Sequence, residues 1–263
     1  MEVTAVQSDI PVVGGPGARY EIKYLVSEAK AAAVIQFIRP YVRPDRYCKV
    51  QPKGAYPIVS LYLDSKDLRL CQESLTGKKN RFKLRIRSYT DDPDYPRFFE
   101  IKRRINTVIV KDRAMVAHHE IPGLLSGIGL LAKNKDRNGE TLAQFQLYRN
   151  SLIAGPVLLV RYQRQAFEGI ADRRLRVTFD RDLCCKTTSA AEVGLDGQGW
   201  QRYGIGGVIL EIKFTDHYPV WLGRMVKYFD LQQQSLSKYA RSAKKACLSG
   251  FCAPEIPVRT YRL

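Results

Sequence analysis

Hydrophobic and polar residues alternate strictly from Arg81 to Tyr89, with cations at positions 81, 83, 85 and 87. Successive side chains of a β-strand point to opposite faces, so this pattern predicts a strand with one apolar face and one cationic face, whose charges stand about 7 Å apart. At an effective dielectric constant of ~20, neighbouring cations at that spacing repel by roughly 2 kcal/mol. The cationic face therefore requires an anion or water against it, and an antiparallel strand with one solvated face would also satisfy this requirement.

The same alternation recurs in seven other segments, each with an apolar face and a polar, mostly basic face. These segments are Tyr20–Tyr24, Ile58–Asp64, Phe98–Ile105, Val108–Arg113, Leu158–Phe167, Arg174–Asp182 and Gly207–Phe214. Eight strands are enough to close a β-barrel. The pattern alone leaves open which face points inward.

Three helices are predicted between and after the strands. One runs over Ser27–Arg39 and ends before Pro40, a second opens on a capping-box pattern at Thr141, and a third covers Val220–Leu231 with Pro219 at its first position. Four residues of the third helix are predicted core contacts because of their helical spacing: Trp221, Met225, Tyr228 and Phe229. If helices cover the apolar faces, the charges line a water-filled interior. The sequence thus predicts an α+β fold, an eight-stranded antiparallel β-barrel tunnel with helices packed outside.

Composition supports a globular domain with a polyanionic partner. The 263 residues are 45% hydrophobic, and the net charge is +17. That charge attracts phosphates. However, Lys and Arg occupy alternating strand positions, and no zinc-finger spacing or RNA-recognition aromatic motif occurs. A specific nucleic-acid partner is therefore not expected.

We predict three segments: a flexible leader over 1–18, the tunnel domain over 19–248 and a C-terminal tail over 249–263. The leader has no Lys or Arg before Arg19 and no apolar run, and no stretch approaches the ~18 apolar residues of a membrane span. The six cysteines lack CxxC spacing, which predicts reduced thiols. These features favour a cytoplasmic location and leave open a membrane-protein partner on another chain, which would place the domain at the inner face of a membrane. Oligomeric state is not predicted.

Two familiar chemistries are disfavoured. Gly77-Lys78 has Gln72 where a phosphate-binding loop needs its first glycine, so we interpret this segment as a hairpin connection. His118 and His119 are adjacent and would point apart in a strand, which predicts surface histidines without a shared metal.

Three strands carry a glutamate two positions before a lysine: Glu21 and Lys23, Glu100 and Lys102, Glu211 and Lys213. Phosphoryl transfer needs positioned cations around the transferred group and a carboxylate that holds a divalent metal. Glu211 is the best candidate metal ligand, and the alternative is an internal ion pair with Lys213 or a neighbouring Arg.

Eight short motifs, in order, resemble those of a known family. They are Tyr20–Tyr24, Ser60–Asp64, Lys83–Arg87, Glu100–Lys102, Tyr162–Phe167, Thr178–Asp180, Glu211–Lys213 and Ser237–Tyr239. The chain from about Arg19 to Arg241 resembles the VTC domain, the polyphosphate polymerase module of the vacuolar transporter chaperone, within the triphosphate tunnel (CYTH-like) superfamily.

The resemblance implies a tunnel that holds ATP and a growing inorganic polyphosphate chain, and a reaction that moves the γ-phosphate of ATP to the end of that chain. It implies catalytic roles for Lys23, Arg85, Arg87, Lys102 and Glu211. Phosphate contacts are expected from these basic residues and from Tyr62, Lys83, Lys111, Tyr162, Arg164, Arg176, Lys213, Ser237 and Lys238. Mn²⁺ or Mg²⁺ is expected at Glu211, with Glu21 and Glu100 as further candidates.

One departure bears on the reaction. Hydrolases and cyclases of the superfamily resemble one another in a first-strand Glu-x-Glu-x-Lys, whereas this chain has Arg19 at the position of the first glutamate. Loss of that carboxylate weakens a second metal site and favours the polymerase. The alternatives are an inorganic triphosphatase or another triphosphate hydrolase of the superfamily, and a non-catalytic module that binds polyphosphate or inositol phosphates.

Overall fold

The computed structural model describes residues 19–106, 108–127, 136–202, 206–215, 218–248 and 250. All eight predicted strands are present, with ends that differ from the predicted ones by at most five residues, and two short strands add to them. The strands are β1 (Arg19–Val26), β2 (Val42–Pro44), β3 (Tyr56–Asp64), β4 (Arg81–Ser88), β5 (Arg97–Ile105), β6 (Val108–Val116), β7 (Gly155–Gly169), β8 (Arg176–Thr187), β9 (Gln201–Arg202) and β10 (Val208–Thr215). The predicted leader and nearly all of the predicted tail lie outside the described residues.

The helices are α1 (Glu28–Ile38), α2 (Arg46–Lys49), α3 (Arg69–Leu75), α4 (Ile121–Ser126), α5 (Arg137–Ser151), α6 (Val220–Tyr228) and α7 (Lys238–Leu248). The Ser27 side chain accepts a hydrogen bond from the Lys30 amide, as predicted for the N-cap of α1. The predicted start of α5 at Thr141 is wrong, because Asp136 caps this helix by accepting from the Gly139 amide at 2.8 Å.

Four smaller expectations also need correction. Pro219 is the N-cap of α6 and not its first residue. Tyr228 is 76% exposed and not a core contact, whereas Met225 is fully buried. His118 and His119 lie in a 3₁₀ helix (His118–Glu120) and not in a strand. Gly77, with φ +72°, connects α3 to β4 and is not in a hairpin; the positive φ explains the glycine.

The eight long strands form one antiparallel sheet in the order β1, β10, β8, β7, β3, β4, β5, β6, and β2 and β9 extend it beside β7 and β8. The sheet curls so that the edge strands β1 and β6 lie side by side. Within the described residues these two strands share no hydrogen-bonded ladder. The predicted α+β tunnel is confirmed in this half-closed form.

Apolar strand residues pack outward against helices. Ile22, Val177 and Ile212 form one cluster with α1 and α6, and Leu84 and Ile101 form another with α4 and α5. Polar alternate residues are thereby left on the concave face. Covering the convex face with helices is the reason that the charges point inward.

Helix α7 occupies a different place. Tyr239, Ala240 and Ala243 pack with Tyr62 and Tyr162, whose hydroxyls face the interior cations. Helix α7 therefore covers part of the concave face, and its first residues enter the interior.

Cys48, Cys71, Cys184 and Cys185 are free and buried. Cys247 is disulfide-bonded, so the expectation of reduced thiols is wrong at this residue. In the part of the chain that the structure describes, no helix combines the length and the apolar character needed to cross a membrane.

Candidate functional site

Strand register determines which interior charges meet. Arg85 is opposite Glu100 across β4 and β5, and Lys23 is opposite Glu211 across β1 and β10. Directly opposed residues of antiparallel strands project to the same face within side-chain reach. Each of these carboxylates therefore lies beside a cation of the neighbouring strand.

Glu100 is fully buried and contacts four cations. Its Oε2 atom lies 2.7 Å from Arg85 Nη2 and 3.9 Å from Arg87 Nη1, and its Oε1 atom lies 2.6 Å from Lys111 Nζ and 2.5 Å from Arg113 Nη2. Burial raises the pKa of this carboxyl, but the four cations outweigh burial and hold the pKa well below its usual range. Glu100 is thus a permanent anion inside a cation cluster.

The interior holds more positive charge than its acids neutralise. Burial, opposed by Glu100 and reinforced by Arg85 and Arg87, lowers the pKa of Lys111 to about 6. Burial, together with Lys23 and its other basic neighbours, places the pKa of Lys83 well below its ordinary value. A lowered pKa of this kind indicates a site whose positive charges are not fully balanced by anions.

A second cluster joins β1, β5 and β10. Glu21 lies 2.8 Å from Lys23 and 2.9 Å from Lys102, and Glu211 lies 2.5 Å from Lys213. Burial and the charge of Glu211 raise the pKa of Glu21, but Lys23, Lys102 and Lys213 prevail and lower it. Both glutamates are therefore ionised, on adjacent strands and on the same face.

A third cluster is built around Asp180 of β8. Arg164 donates two hydrogen bonds of 2.7 Å to its carboxylate, and Lys238 Nζ lies 2.5 Å from Oδ2. Lys238 also lies over the Tyr162 ring, 4.8 Å from its centroid. Two predicted phosphate-binding cations are thus held in place by one buried acid.

The N-terminus of α7 reaches the other side of the interior. Ser237 Oγ accepts from the Ala240 amide at 3.1 Å and from Lys83 Nζ at 2.7 Å, and Lys23 Nζ donates to the Leu236 carbonyl at 3.0 Å. The partial positive charge of a helix N-terminus adds to that of the lysines. This end of α7 is suited to an anion.

The remaining predicted residues lie in two places. Tyr62 and Tyr162 accept from Arg85 and Arg87, each at 3.4 Å, within the interior. Arg176 is displaced toward one mouth, where its Nη2 atom lies 2.6 Å from Asp45. The structure thus brings the predicted site residues to one concave face, with Arg176 at its margin.

Two residues of the clusters are missing from the predicted set, Arg113 and Asp180. Both stand on the polar side of an alternating segment, with Lys111 and Arg176 respectively, so the alternation could have identified them. Sequence alone gave no distance between Arg113 and Glu100, because the two residues meet only through the pairing of β5 with β6.

Two cavities follow the concave face. The large cavity has a volume of about 750 Å³ and contains Arg85, Arg87 and Arg113, and the small cavity has a volume of about 390 Å³ and contains Lys23, Lys83 and Ser237. Glu21 and Lys102 line both cavities. The interior is therefore a passage whose two parts meet at the ion pair of these two residues.

The carboxylates allow a limited metal site. Within the described residues no group of three or more His, Cys, Asp or Glu side chains is placed to hold a metal ion. Mg²⁺ is commonly bound through one or two carboxylates together with substrate phosphates, and Glu21 and Glu211 fit that requirement. Glu100 fits it less well, because its side chain is fully buried and three arginines contact it in addition to Lys111.

The sequence and fold have known counterparts. The family model of the VTC domain matches residues 18–247. No curated protein has a significantly similar sequence. Similar solved structures include a candidate adenylate cyclase from Bacillus halodurans, which is 13% identical; the match covers 84% of this chain and 95% of that chain, with a TM-score of 0.47. A candidate adenylate cyclase from Vibrio parahaemolyticus is 11% identical; the match covers 87% of this chain and 99% of that chain, also with a TM-score of 0.47.

At such low sequence identity and TM-score, these structures do not indicate the activity of this chain. The family match is different in kind, because it extends over nearly the whole described chain and includes all eight motifs and all three charge clusters. The chain belongs to the VTC domain family.

Proposed function

We propose that this protein is a polyphosphate polymerase that transfers the γ-phosphate of ATP to a growing polyphosphate chain, with a divalent metal ion. The observation that carries the proposal is the cation-lined passage formed by the two cavities that meet at Glu21 and Lys102. Strand β4 presents Lys83, Arg85 and Arg87 over roughly 13 Å, at ~3.3 Å per residue. A polymer of phosphates needs such a continuous track. Membership of the VTC domain family supports a function on a triphosphate or polyphosphate.

The residues bind and orient the reactants. In phosphoryl transfer, catalysis is mostly positioning together with neutralisation of charge on the transferred group. Arg85 and Arg87 are fixed by Glu100, and Arg164 is fixed by Asp180, so their guanidinium groups are oriented before a substrate arrives. Preorganised donors of this kind favour the charge that develops in the transition state.

The ion pair of Glu21 and Lys102 lies where the two cavities meet, and we place the transferred phosphate there. Lys102 would hold its oxygens, and Glu21 and Glu211 would hold Mn²⁺ or Mg²⁺. The metal would neutralise negative charge on the phosphates when bound. No covalent enzyme intermediate is invoked.

An incoming phosphate chain would replace internal acids as the partner of several cations. Lys23 and Lys213 are each shared between Glu21 and Glu211, and Lys102 pairs with Glu21. The ammonium groups of these lysines can contact a phosphate while they remain close to the two carboxylates. The cations supply affinity and the two glutamates prevent strong repulsion in the empty tunnel.

The decisive assay incubates the purified chain with ATP and Mn²⁺ and measures polyphosphate and free phosphate. We expect polyphosphate and ADP. Rapid release of phosphate from tripolyphosphate without polymer would identify a hydrolase, and absence of any ATP consumption would identify a binding module. Either result would overturn the proposal.

Glu211→Gln separates metal-dependent turnover from anion binding. We expect this variant to lose most of its turnover and to retain tripolyphosphate binding, because Lys23 and Lys213 remain. Glu73→Gln is a matched control, since Glu73 pairs with Arg69 and Lys78 and lines neither cavity. Equal turnover in all three proteins would exclude the assigned role of Glu211.

A further inference from the structure

Seven aromatic residues line the large cavity, and five of them lie together: Tyr47, Tyr56, Tyr89, Tyr95 and Phe98. The other two, Tyr20 and Phe214, stack on each other. We call the group of five the aromatic rim. Their rings form a continuous chain, with centroids 5.8 Å apart for Tyr47 and Tyr56, 6.2 Å for Tyr56 and Tyr89, 5.7 Å for Tyr89 and Phe98, and 6.1 Å for Phe98 and Tyr95.

The rim is only partly used by the fold. Tyr56 and Phe98 are 7% exposed, whereas Tyr47 is 45% exposed and Tyr89 and Tyr95 are half-buried. Exposed ring surface therefore faces a cavity large enough for a small organic ligand. Apolar surface beside a cluster of cations would be unsuited to a phosphate chain alone.

Residues of the aromatic rim contact two cations of the large cavity, Arg113 and Arg176. Arg113 lies over the Phe98 ring at 4.5 Å, donates to Tyr89 Oη at 3.0 Å and contacts Glu100. Arg176 donates to Tyr56 Oη at 3.1 Å. A ligand whose phosphates reach Arg85, Arg87 and Arg113 would thus place any attached group against the rim.

The rim is also fixed in position. The buried Arg97 donates to the carbonyl oxygens of Asp92 and Tyr95, which holds the loop that carries the Tyr95 ring. Tyr56 is held by Asp45 in addition to Arg176. Aromatic groups that are already ordered lose little conformational freedom when a ligand stacks on them.

The small cavity has a different character. Its walls are mainly lysine, arginine, glutamine and serine side chains, and the ring of Phe82, the aromatic residue among them, is stacked on Tyr148 at 4.6 Å. Among the described residues, this end offers contacts to phosphates and a single aromatic ring, which is already stacked. The two ends of the tunnel are therefore chemically distinct.

We infer that the aromatic rim binds the base of the nucleoside triphosphate, which fixes the nucleoside at this end and directs its phosphates toward Lys102 and α7. This inference rests on the proposed function. Stacking on aromatic rings is available to every base, and it gives the tunnel a contact that tripolyphosphate lacks. The rim would make the tunnel select a nucleotide over a bare phosphate chain.

Binding constants for ATP and tripolyphosphate test the inference without turnover. Tyr47→Ala and Tyr89→Leu in the full chain should weaken ATP binding at least about fivefold, the low end for loss of one base stack, and leave tripolyphosphate binding within about twofold. Tyr89→Phe keeps the ring and loses the hydroxyl near Arg113, so ATP should still bind. Tyr228→Ala, at an exposed tyrosine on α6, is the control for loss of a ring elsewhere.

Equal losses for both ligands would show that the rim supports the phosphate site and not a base, and unchanged ATP binding in both rim variants would show no contact at all. Either result overturns the inference. A wild-type protein that binds ATP through the rim but makes no polyphosphate would contradict the proposed function alone. Tyr47 is exposed, so its substitution should leave folding intact even if Tyr89→Leu does not fold.

Discussion

At the scale of single residues, the interior acids determine how the cations are used. Glu100 and Asp180 are each surrounded by arginine and lysine groups, and they hold those groups against a concave face that would otherwise repel itself. Glu21 and Glu211 are slightly less enclosed, with 9% and 6% of their side chains exposed, and they contact lysines only. Under the proposed function, the first two acids orient the arginines, and the second two meet the metal and the phosphate.

Glu100→Gln tests the structural role. Removing one partner of a buried ion pair leaves uncompensated charge, so we expect the free energy of unfolding to fall by about 3–5 kcal/mol. Denaturant titration measures this change. Tripolyphosphate should restore more stability to the variant than it adds to the wild type, because it supplies the missing anion.

Glu28→Gln is the control for Glu100→Gln. Glu28 pairs with Arg181 at 2.9 Å, but 67% of its side chain is exposed, so its loss should cost at most about 0.5 kcal/mol. Equal stability of the two variants would contradict the central position of Glu100.

Lys111 gives the binding reaction a pH signature. Its pKa is lowered to about 6 by burial and by Arg85, Arg87 and Arg113 against the pull of Glu100, which predicts a largely neutral amine at pH 8 in the free protein. A bound phosphate chain would raise that pKa and protonate the amine. Calorimetry of tripolyphosphate binding at pH 8, in buffers of different ionisation enthalpy, should therefore show proton uptake that is smaller in Lys111→Met.

The same group affects stability in a defined direction. Between about pH 6 and the ordinary lysine pKa near ~10.4, the unfolded chain carries a proton that folded Lys111 lacks. Stability of the ligand-free protein should therefore rise with pH through that window. Lys66→Met, at an exposed lysine, should show the same dependence of stability on pH as the wild type.

In the calorimetric experiment, release of protons on tripolyphosphate binding would contradict the assigned pKa of Lys111.

At the scale of elements, α7 is the part that the strand pattern did not anticipate. Tyr239 Oη donates to Asp64 Oδ2 at 2.6 Å, and the Tyr239 ring stacks on Tyr62 with centroids 4.5 Å apart. Asp64 also accepts from the amides of Leu70 and Cys71 at the start of α3. These contacts place the N-terminus of α7, with Ser237 and Lys238, inside the tunnel.

Tyr239→Phe should loosen that placement. Loss of a hydrogen bond to a buried carboxylate is expected to cost about 1.5–3 kcal/mol of unfolding free energy. We also expect tripolyphosphate to bind several-fold more weakly, because Ser237 and Lys238 lose their anchor. Tyr228→Phe on α6 is the matched control. If stability falls while affinity stays the same, the anchor serves the fold and not the site.

At the scale of the whole molecule, stability and ligand binding are linked. A ligand that binds only the folded state at 100 times its dissociation constant adds about 2.7 kcal/mol of stability. Tripolyphosphate at low salt should thus raise the melting temperature by roughly 5–10 °C for a chain of this size. The rise should shrink as salt screens the interior charges.

Sulfate at matched ionic strength is the control, because it cannot span the three cation clusters. An unchanged melting temperature with tripolyphosphate at low salt would argue against an accessible cationic interior. A rise of the same size with sulfate would indicate general screening of repulsion.

Much of this architecture is predictable from residue patterns. Alternation identified the eight long strands, and the cations on their polar sides are the interior cations of the structure. Helix ends were harder to predict. Asp136 and Thr141 both resemble caps, and only the contacts of the folded chain distinguish them.

The sequence by itself determined the strands, the sign of their polar face and the family, because alternation and ordered motifs are local properties of the chain. Tertiary structure alone decided which acid meets which cation, as when Glu21 of β1 reaches Lys102 of β5, residues 81 positions apart. It also decided that α7 enters the concave face and that five aromatic rings meet at one mouth. Such contacts depend on strand order, register and curvature, which are set by packing of the whole sheet against its helices.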